Sequence, residues 1–384
     1  MTLADRIDRA GFVLPDYRGR ELGGVISAGL AAIGAEEVVT GRDAAADQRR
    51  LLVPDARHVC VALLDGLGEL NLDARRGHAP FLRSLGGVTA TAGYPSTTAA
   101  SLSLMGTGRT SGETGMVGYT CRNPKTGKLA NLVSWEGAEP AEKWQTQPSL
   151  LEQADLAGVP VTTLGRARFA GSGLTHAVLR GGQFIGAERL ADRVDVALGA
   201  MGEPGLSYMY WGEIDGVGHA YGWQSEKWTA ALEDADRELA RLARAMPEET
   251  VLLITADHGM IDVPGAPRWD LAEDPVLDQG VDFLAGEPRA LHVYAREPEQ
   301  VAVRWQEVLG DDAVVAAKDE AIDAGWLGPV LPPARERIGD VVVAMTGRAT
   351  VVDSRVQSEA SMKLIGMHGS LTPNEMLIPV LTAE

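Results

Sequence analysis

Three stretches of the sequence repeat one pattern, in which a run of mostly apolar residues leads into an aspartate. The runs are 58–64 before Asp65, 207–211 before Asp215, and 250–256 before Asp257. A run of this kind is typical of a strand that is buried on both faces, as in a parallel sheet. Because ligands of open α/β sheets bind at the carboxyl ends of the strands, each aspartate is a site candidate by its position.

Segments with helical and extended patterns alternate around these runs. Residues 79–85 and 226–246 have the pattern of helices, whereas 87–92 and 159–164 have the pattern of strands. Strands that alternate with helices are typical of a parallel sheet. We therefore predict an α/β fold with a doubly wound, mostly parallel sheet flanked by helices.

After the third run the sequence becomes rich in Pro and Asp, and the short apolar segments that follow predict a smaller α+β subdomain inserted before the C-terminal strand. We predict that residues 1–264 and 355–384 form the core and that 265–354 form this cap-like subdomain. Residues 43–50 are charged and are predicted to be a linker. Residues 108–148 are predicted to be an irregular loop over the edge of the site.

Two of the three aspartates have a histidine close by in the sequence. His219 follows Asp215 by four residues, in a predicted glycine-rich turn, and His258 directly follows Asp257. A hard carboxylate oxygen and an imidazole can converge on one cation. The sequence therefore predicts metal ligands at two of the strand ends.

A stretch rich in hydroxyl residues precedes a run of small and apolar residues that ends at Gly108. This pattern, with Pro95 just ahead of it, predicts a helix that begins at Thr97 or Thr98. Free backbone N–H groups and the positive end of the helix dipole favour a phosphate or an alkoxide at such a terminus. From this stretch alone, an ordinary capped helix is an equally good interpretation.

The charge balance limits the partners of the chain. Lys and Arg number 35 and Asp and Glu number 53, so the formal net charge is −18. This balance argues against a nucleic-acid polymer or an anionic membrane as the main partner. An anionic small substrate would need local positive charge, for which bound metal is the natural source.

The first residues of the sequence and the number of cysteines give an expectation for the cellular location. The two cysteines support neither a disulfide framework nor a Cys-rich metal site. Asp5 and Asp8 stand where a signal peptide would carry basic and then apolar residues, which predicts a cytoplasmic protein.

Together these residues resemble the alkaline phosphatase superfamily, and within it the nucleotide pyrophosphatase/phosphodiesterase branch most closely. The resemblance covers residues 57–260 and the last turn before the C-terminus. In the family the nucleophile lies three residues after a Pro and ten before the Gly of a Thr-Gly pair, and both counts lead to Thr98 here. The family's strand-Asp-Gly, D-x-x-G-H, D-H-G-M and late H-G motifs match Asp65-Gly66, 215–219, 257–260 and His368-Gly369.

The resemblance implies a metal-dependent phosphohydrolase core that holds two divalent ions, usually zinc. The ligands implied for one ion are Asp65, Asp257, His258 and the Thr98 oxygen, and those for the other are Asp215, His219 and His368. Two ions about 3.5–4 Å apart can stabilise the attacking and leaving oxygens of an in-line displacement. The resemblance therefore implies that the chain hydrolyses a small phosphate ester or nucleotide, at a phosphodiester or pyrophosphate bond. The reaction would proceed through a phosphothreonine intermediate on Thr98.

The sequence departs from this branch in the loop after the nucleophile helix. Tyr119 stands where the family has an Asn that binds a phosphate oxygen. Tyr119 or Asn123 could donate the missing hydrogen bond, and Arg122 is either a ligand of a terminal phosphate dianion or a loop arginine. Phosphomonoesterase and phosphonate hydrolase therefore remain as alternatives. A metal-stabilised binding protein of the same fold is the alternative outside the enzymes.

Overall fold

A seven-stranded sheet forms the centre of the fold in a computed structural model that describes all 384 residues. Four smaller sheets contain the remaining strands. In chain order the strands are β1 (His58–Leu64), β2 (Gly86–Thr91), β3 (Thr120–Arg122), β4 (Leu129–Asn131), β5 (Val161–Gly165), β6 (Gln183–Gly186), β7 (Gly205–Trp211), β8 (Thr250–Thr255), β9 (Ile261–Asp262), β10 (Arg268–Asp270), β11 (Val281–Glu287), β12 (Ala290–Ala295), β13 (Ala313–Ala317), β14 (Val341–Met345), β15 (Thr350–Val352), β16 (Gly366–Met367) and β17 (Leu377–Ala383).

Helices separate most strands of the large sheet along the chain. They are α1 (Leu3–Ala10), α2 (Gly24–Ala32), α3 (Ala44–Leu51), α4 (Glu69–Arg75), α5 (Pro80–Ser84), α6 (Thr98–Thr107), α7 (Ser111–Thr114), α8 (Ala141–Trp144), α9 (Leu150–Leu156), α10 (Gly173–Val178), α11 (Leu190–Ala200), α12 (Glu213–Tyr221), α13 (Glu226–Ala245), α14 (Pro275–Asp278), α15 (Pro298–Leu309), α16 (Lys318–Asp323), α17 (Pro332–Arg335) and α18 (Pro373–Met376).

The strand order of the large sheet is β2-β17-β8-β1-β7-β5-β6. Strand β1 is parallel to β7 and β8, and β5 is parallel to β6 and β7, whereas β17 is antiparallel to both of its neighbours. Every residue of β1 is buried, as expected for a central strand with helices on its faces. The predicted α/β fold with a mostly parallel sheet is confirmed.

The register of three neighbouring strands brings their carboxyl ends together. Leu64 is paired with Trp211 of β7, and Leu63 is paired with Thr255 of β8. Asp65 directly follows β1, and Asp257 follows β8 after one residue. Both aspartates therefore lie at the same edge of the sheet.

The smaller antiparallel sheet has the order β11-β12-β14-β13 and lies before β17 in the chain, as predicted for the smaller subdomain. It has a hydrophobic cluster of 14 buried residues, in which Trp305 of α15 is fully buried. The boundaries at residues 264 and 355 stay a prediction.

Two local predictions were wrong, and a third holds only in part. The predicted linker at 43–50 is mostly helix α3, because the Asp43 side chain accepts a hydrogen bond from the Ala46 N–H and caps it. The predicted turn after β7 is helix α12, which packs against α13 despite its glycines. The loop predicted at 108–148 contains the β3–β4 hairpin and two short helices.

None of the helices is long and apolar enough to span a membrane. The cytoplasmic location stays a prediction.

Candidate metal centre

Asp65, Asp257 and His258 form a compact buried group that we call the strand-end set. Their potential metal-binding atoms all lie within 4.8 Å of one another. The Nε2 atom of His258 is 3.4 Å from Oδ1 of Asp65 and 3.5 Å from Oδ2 of Asp257. These residues follow the neighbouring strands β1 and β8, which explains why side chains almost 200 positions apart meet here.

Asp215, His219 and His368 lie beside the strand-end set, and we call them the helix-loop set. Asp215 and His219 are four residues apart on α12 and therefore share one face of the helix, with Oδ1 and Nε2 3.3 Å apart. His368 follows β16, and its Nε2 is 3.9 Å from the same oxygen. The His368 ring stacks on His258 with centroids 3.6 Å apart, so the two sets are contiguous.

Hydrogen bonds of the three histidines orient their rings toward the carboxylates. In each ring, Nδ1 lies within hydrogen-bond distance of a backbone carbonyl, to which its N–H donates. The acceptors are Gly366 for His219, Gly259 for His258 and Ser96 for His368, at 2.7, 3.0 and 2.9 Å. This tautomer leaves Nε2 with a free lone pair, which is how metal-binding histidines are usually held.

The aspartates each carry a buried oxygen that accepts no hydrogen bond. These atoms are Oδ1 of Asp65, Oδ1 of Asp215 and Oδ2 of Asp257. Burial raises the pKa of the Asp65 carboxyl well above its usual value, and the nearby charges of Asp257 and Asp215 raise it further. Burial also raises the pKa of Asp257. Since an unpartnered buried carboxylate is costly, divalent cations are the partners that fit these donors.

Helix α6 presents Thr98, rather than Thr97, to this cluster. Thr98 is the first residue of α6, and its Oγ1 is 3.4 Å from Nε2 of His258. Thr97 is the extended residue before the helix, and its side chain makes no capping hydrogen bond. The free N–H groups of the first turn of α6 are therefore at the Thr98 end of the cluster.

Tyr210, which the sequence patterns did not reveal, and two backbone N–H groups support the strand-end set. The Tyr210 hydroxyl donates to Oδ2 of Asp65. Oδ1 of Asp257 accepts from the backbone N–H groups of Gly66 and His258, each at 3.1 Å. Gly66 has a φ of +74°, and an added Cβ would lie 3.0 Å from the Cβ of Asp215, so glycine permits this close approach.

The three predicted substrate-binding residues lie in the β3–β4 region, and no hydrogen bond joins their side chains to the metal centre. Tyr119 is exposed, and its hydroxyl makes no hydrogen bond. The Arg122 guanidinium lies over the Tyr294 ring, 4.4 Å from its centroid. The Asn123 amide donates to the Gly137 carbonyl, and its oxygen accepts from the Lys125 N–H, which is the role of a turn residue.

Comparison with known proteins adds a family match and similar folds. The family model described as type I phosphodiesterase / nucleotide pyrophosphatase matches residues 59–371. A search of curated proteins found no match.

Among solved structures, the human ectonucleotide pyrophosphatase / phosphodiesterase 5 is 17% identical, with a TM-score of 0.67, over 84% of this chain and 87% of that one. The murine protein is also 17% identical, with a TM-score of 0.66 and the same coverage. Phosphonoacetate hydrolase from Sinorhizobium meliloti 1021, in complex with phosphonoformate, is 20% identical, with a TM-score of 0.65, over 90% of this chain and 92% of that one. At these identities the likeness shows a shared fold.

Proposed function

The chain belongs to the type I phosphodiesterase / nucleotide pyrophosphatase family of hydrolytic enzymes, and from this premise we propose that it cleaves phosphate esters through a phosphothreonine intermediate on Thr98. The observation that carries the proposal is the position of the Thr98 hydroxyl. It lies 3.4 Å from Nε2 of His258, in a cluster whose three aspartates each have a buried oxygen without a partner. A metal-stabilised binding protein could use this hydroxyl as a ligand only, whereas an enzyme of this family would use it as the nucleophile as well, and turnover separates the two.

We assign one divalent ion to each half of the cluster. The strand-end set with the Thr98 oxygen would hold the first ion, and the helix-loop set would hold the second. When bound, the two ions would stabilise negative charge on the attacking and leaving oxygens and lower the proton affinity of the hydroxyl. Mixed carboxylate and imidazole ligands suit zinc.

The residues of the chain account for the other requirements of the reaction. The Thr98 hydroxyl releases its proton to solvent as the Oγ1–P bond forms, and the ester P–O bond breaks to release the leaving group, which takes up a proton from solvent. Water then attacks the same phosphorus and loses a proton, the Oγ1–P bond breaks, and the Thr98 oxygen takes up a proton to regenerate the hydroxyl. The free N–H groups at the start of α6 are available to the phosphoryl oxygens during both displacements.

We propose that phosphodiesters or nucleotide pyrophosphates are better substrates than monoesters. A monoester dianion needs an additional cation near the terminal oxygens. Arg122 was the sequence candidate for that cation, but its guanidinium stacks on Tyr294. Tyr119 is exposed, and we propose that its ring contacts the second ester group of a diester.

A substrate panel with added zinc tests this proposal. It contains nitrophenyl phosphate, bis-nitrophenyl phosphate, a nucleotide pyrophosphate and a phosphonate. We expect kcat/KM for the diester or the pyrophosphate to exceed that for the monoester by at least about tenfold, which corresponds to roughly 1.4 kcal/mol. A tenfold preference for the monoester or the phosphonate would reverse the assignment. If zinc binds and no member of the panel is cleaved, the binding-protein alternative is favoured.

A further inference from the structure

A carboxylate of the smaller sheet reaches the metal centre. Glu287, the last residue of β11, is buried, and its Oε2 is 3.7 Å from Nδ1 of His368. Its other oxygen, Oε1, is buried and has no hydrogen-bond partner. A second acidic group thus lies on the side of the imidazole that faces away from Asp215.

The turn that carries Glu287 is fixed to the segment that carries His368. Arg289, two residues on, is fully buried and donates to both carboxylate oxygens of Glu375, at 2.7 and 2.9 Å. Glu375 also accepts from the Ser370 N–H at 3.0 Å and from the Thr372 hydroxyl. Because this buried network spans the β11–β12 turn and residues 370–375, the positions of Glu287 and His368 are coupled.

The residue after His368 leaves room for Glu287. Gly369 has a φ of +129°, and an added Cβ would lie 2.7 Å from Cδ and 2.8 Å from Cγ of Glu287. A side chain at position 369 would therefore collide with the glutamate. The absence of a side chain at Gly369 therefore leaves space for the Glu287 carboxylate beside His368.

We propose that Glu287 is a positioning residue for the second ion, which it influences through His368. This inference rests on the proposed two-ion function. The Ser96 carbonyl accepts from Nδ1–H of His368 at 2.9 Å and sets the tautomer in which Nε2 keeps its lone pair. The Glu287 carboxylate, 3.7 Å from the same nitrogen, packs beside the ring, where it holds the ring orientation and makes the lone pair more basic. The smaller sheet thereby contributes to the metal centre without supplying a ligand.

The Glu287→Gln variant tests this role, because it replaces the carboxyl group by an amide of nearly the same shape. Zinc is added back to metal-free protein in competition with a chromogenic chelator. We expect the affinity for the second zinc ion to fall by about 10–100-fold and the first to change by less than about twofold. Asp282→Asn is the matched control, since it removes a charge from an exposed residue of the same strand and should leave both affinities unchanged.

Thermal denaturation with and without zinc separates positioning from a purely structural role. A structural role would lower the Tm of both forms equally, whereas positioning lowers the rise in Tm that zinc produces. Glu287→Asp, which keeps the charge, should recover part of the lost affinity. The inference would be overturned if the zinc affinities of Glu287→Gln were unchanged. It would also be overturned if the variant lowered the Tm of the metal-free and the zinc-loaded protein equally. If the wild type binds fewer than two ions, the proposed function fails instead.

Discussion

The two halves of the metal centre are built from different kinds of structure. The strand-end set follows two central strands, and its Asp257 and His258 are fully buried. The helix-loop set combines a surface helix with a distant loop, and the side chains of Asp215 and His219 are 16% and 25% exposed. The strand-end set also carries two carboxylates, whereas the helix-loop set has one. The first half is therefore the more buried one and lies beside Thr98, the proposed nucleophile, and the second half lies nearer to solvent.

The largest expected effect concerns Thr98, the proposed nucleophile beside the first half. Thr98→Ala removes the attacking oxygen together with one ligand, so kcat should fall by about 10³-fold or more. Thr98→Ser keeps the oxygen and should retain measurable turnover. Steady-state kinetics on a chromogenic diester provide the measurement.

Thr97→Ala is the matched control for this position. Thr97 makes no capping hydrogen bond, so its loss should reduce kcat by less than about tenfold. If Thr97→Ala abolished turnover while Thr98→Ala spared it, the assignment would be off by one residue. A trapped phosphoryl group that mass spectrometry maps to Thr97 would lead to the same conclusion, that Thr97 and not Thr98 is the nucleophile.

The next largest effect is a difference in affinity between the two halves. With two carboxylates and deeper burial, the strand-end set should bind zinc at least about tenfold more tightly, because opposite charges attract more strongly where water is excluded. Titration with a chelator should therefore remove the ions in two steps. Equal affinities would remove the distinction between the halves.

Removing both ions should also destabilise the fold. The buried carboxylates then lose their partners, and ligand binding to the native state stabilises it by mass action. At a zinc concentration of about 1,000 times Kd, we expect the Tm of the loaded protein to exceed that of the metal-free protein by roughly 5–10 °C. An unchanged Tm in differential scanning calorimetry would argue against ions at these carboxylates.

The smallest effect concerns the support of Asp65. Tyr210→Phe removes the hydroxyl that donates to Asp65, and the affinity for the first ion should fall by about tenfold. The second ion should be held as before. A loss confined to the second ion in the chelator titration would show that the two halves are wrongly divided.

The sequence could predict the parts of the site that depend on local pattern. Asp65 and Asp257 follow apolar runs, and the position of a strand end in an α/β sheet is enough to mark them. The same pattern marks Asp215, although its glycine-rich surroundings predict a turn and not the helix that the structure has. Tertiary packing on α13 overrides the low helix propensity of glycine there.

Residues whose role comes from distant contacts could not be predicted in this way. His368 has only a glycine pair as a local signal, and the family resemblance alone singled it out. Glu287 and Tyr210 meet their partners across 81 and 145 positions of the chain, so no short pattern marks them. Asn123 shows a different limit, because its amide makes hydrogen bonds within a local turn, and a substrate contact of this residue stays a prediction.

The metal content of purified, zinc-saturated and desalted protein tests the central claim most directly. By elemental analysis we expect close to two zinc ions per chain in the wild type and in Asp282→Asn. Asp257→Asn and Asp215→Asn should each retain close to one, because each removes a carboxylate from a different half. Fewer than two ions in the wild type, or two ions in both of these variants, would contradict the division of the centre into two metal-binding halves.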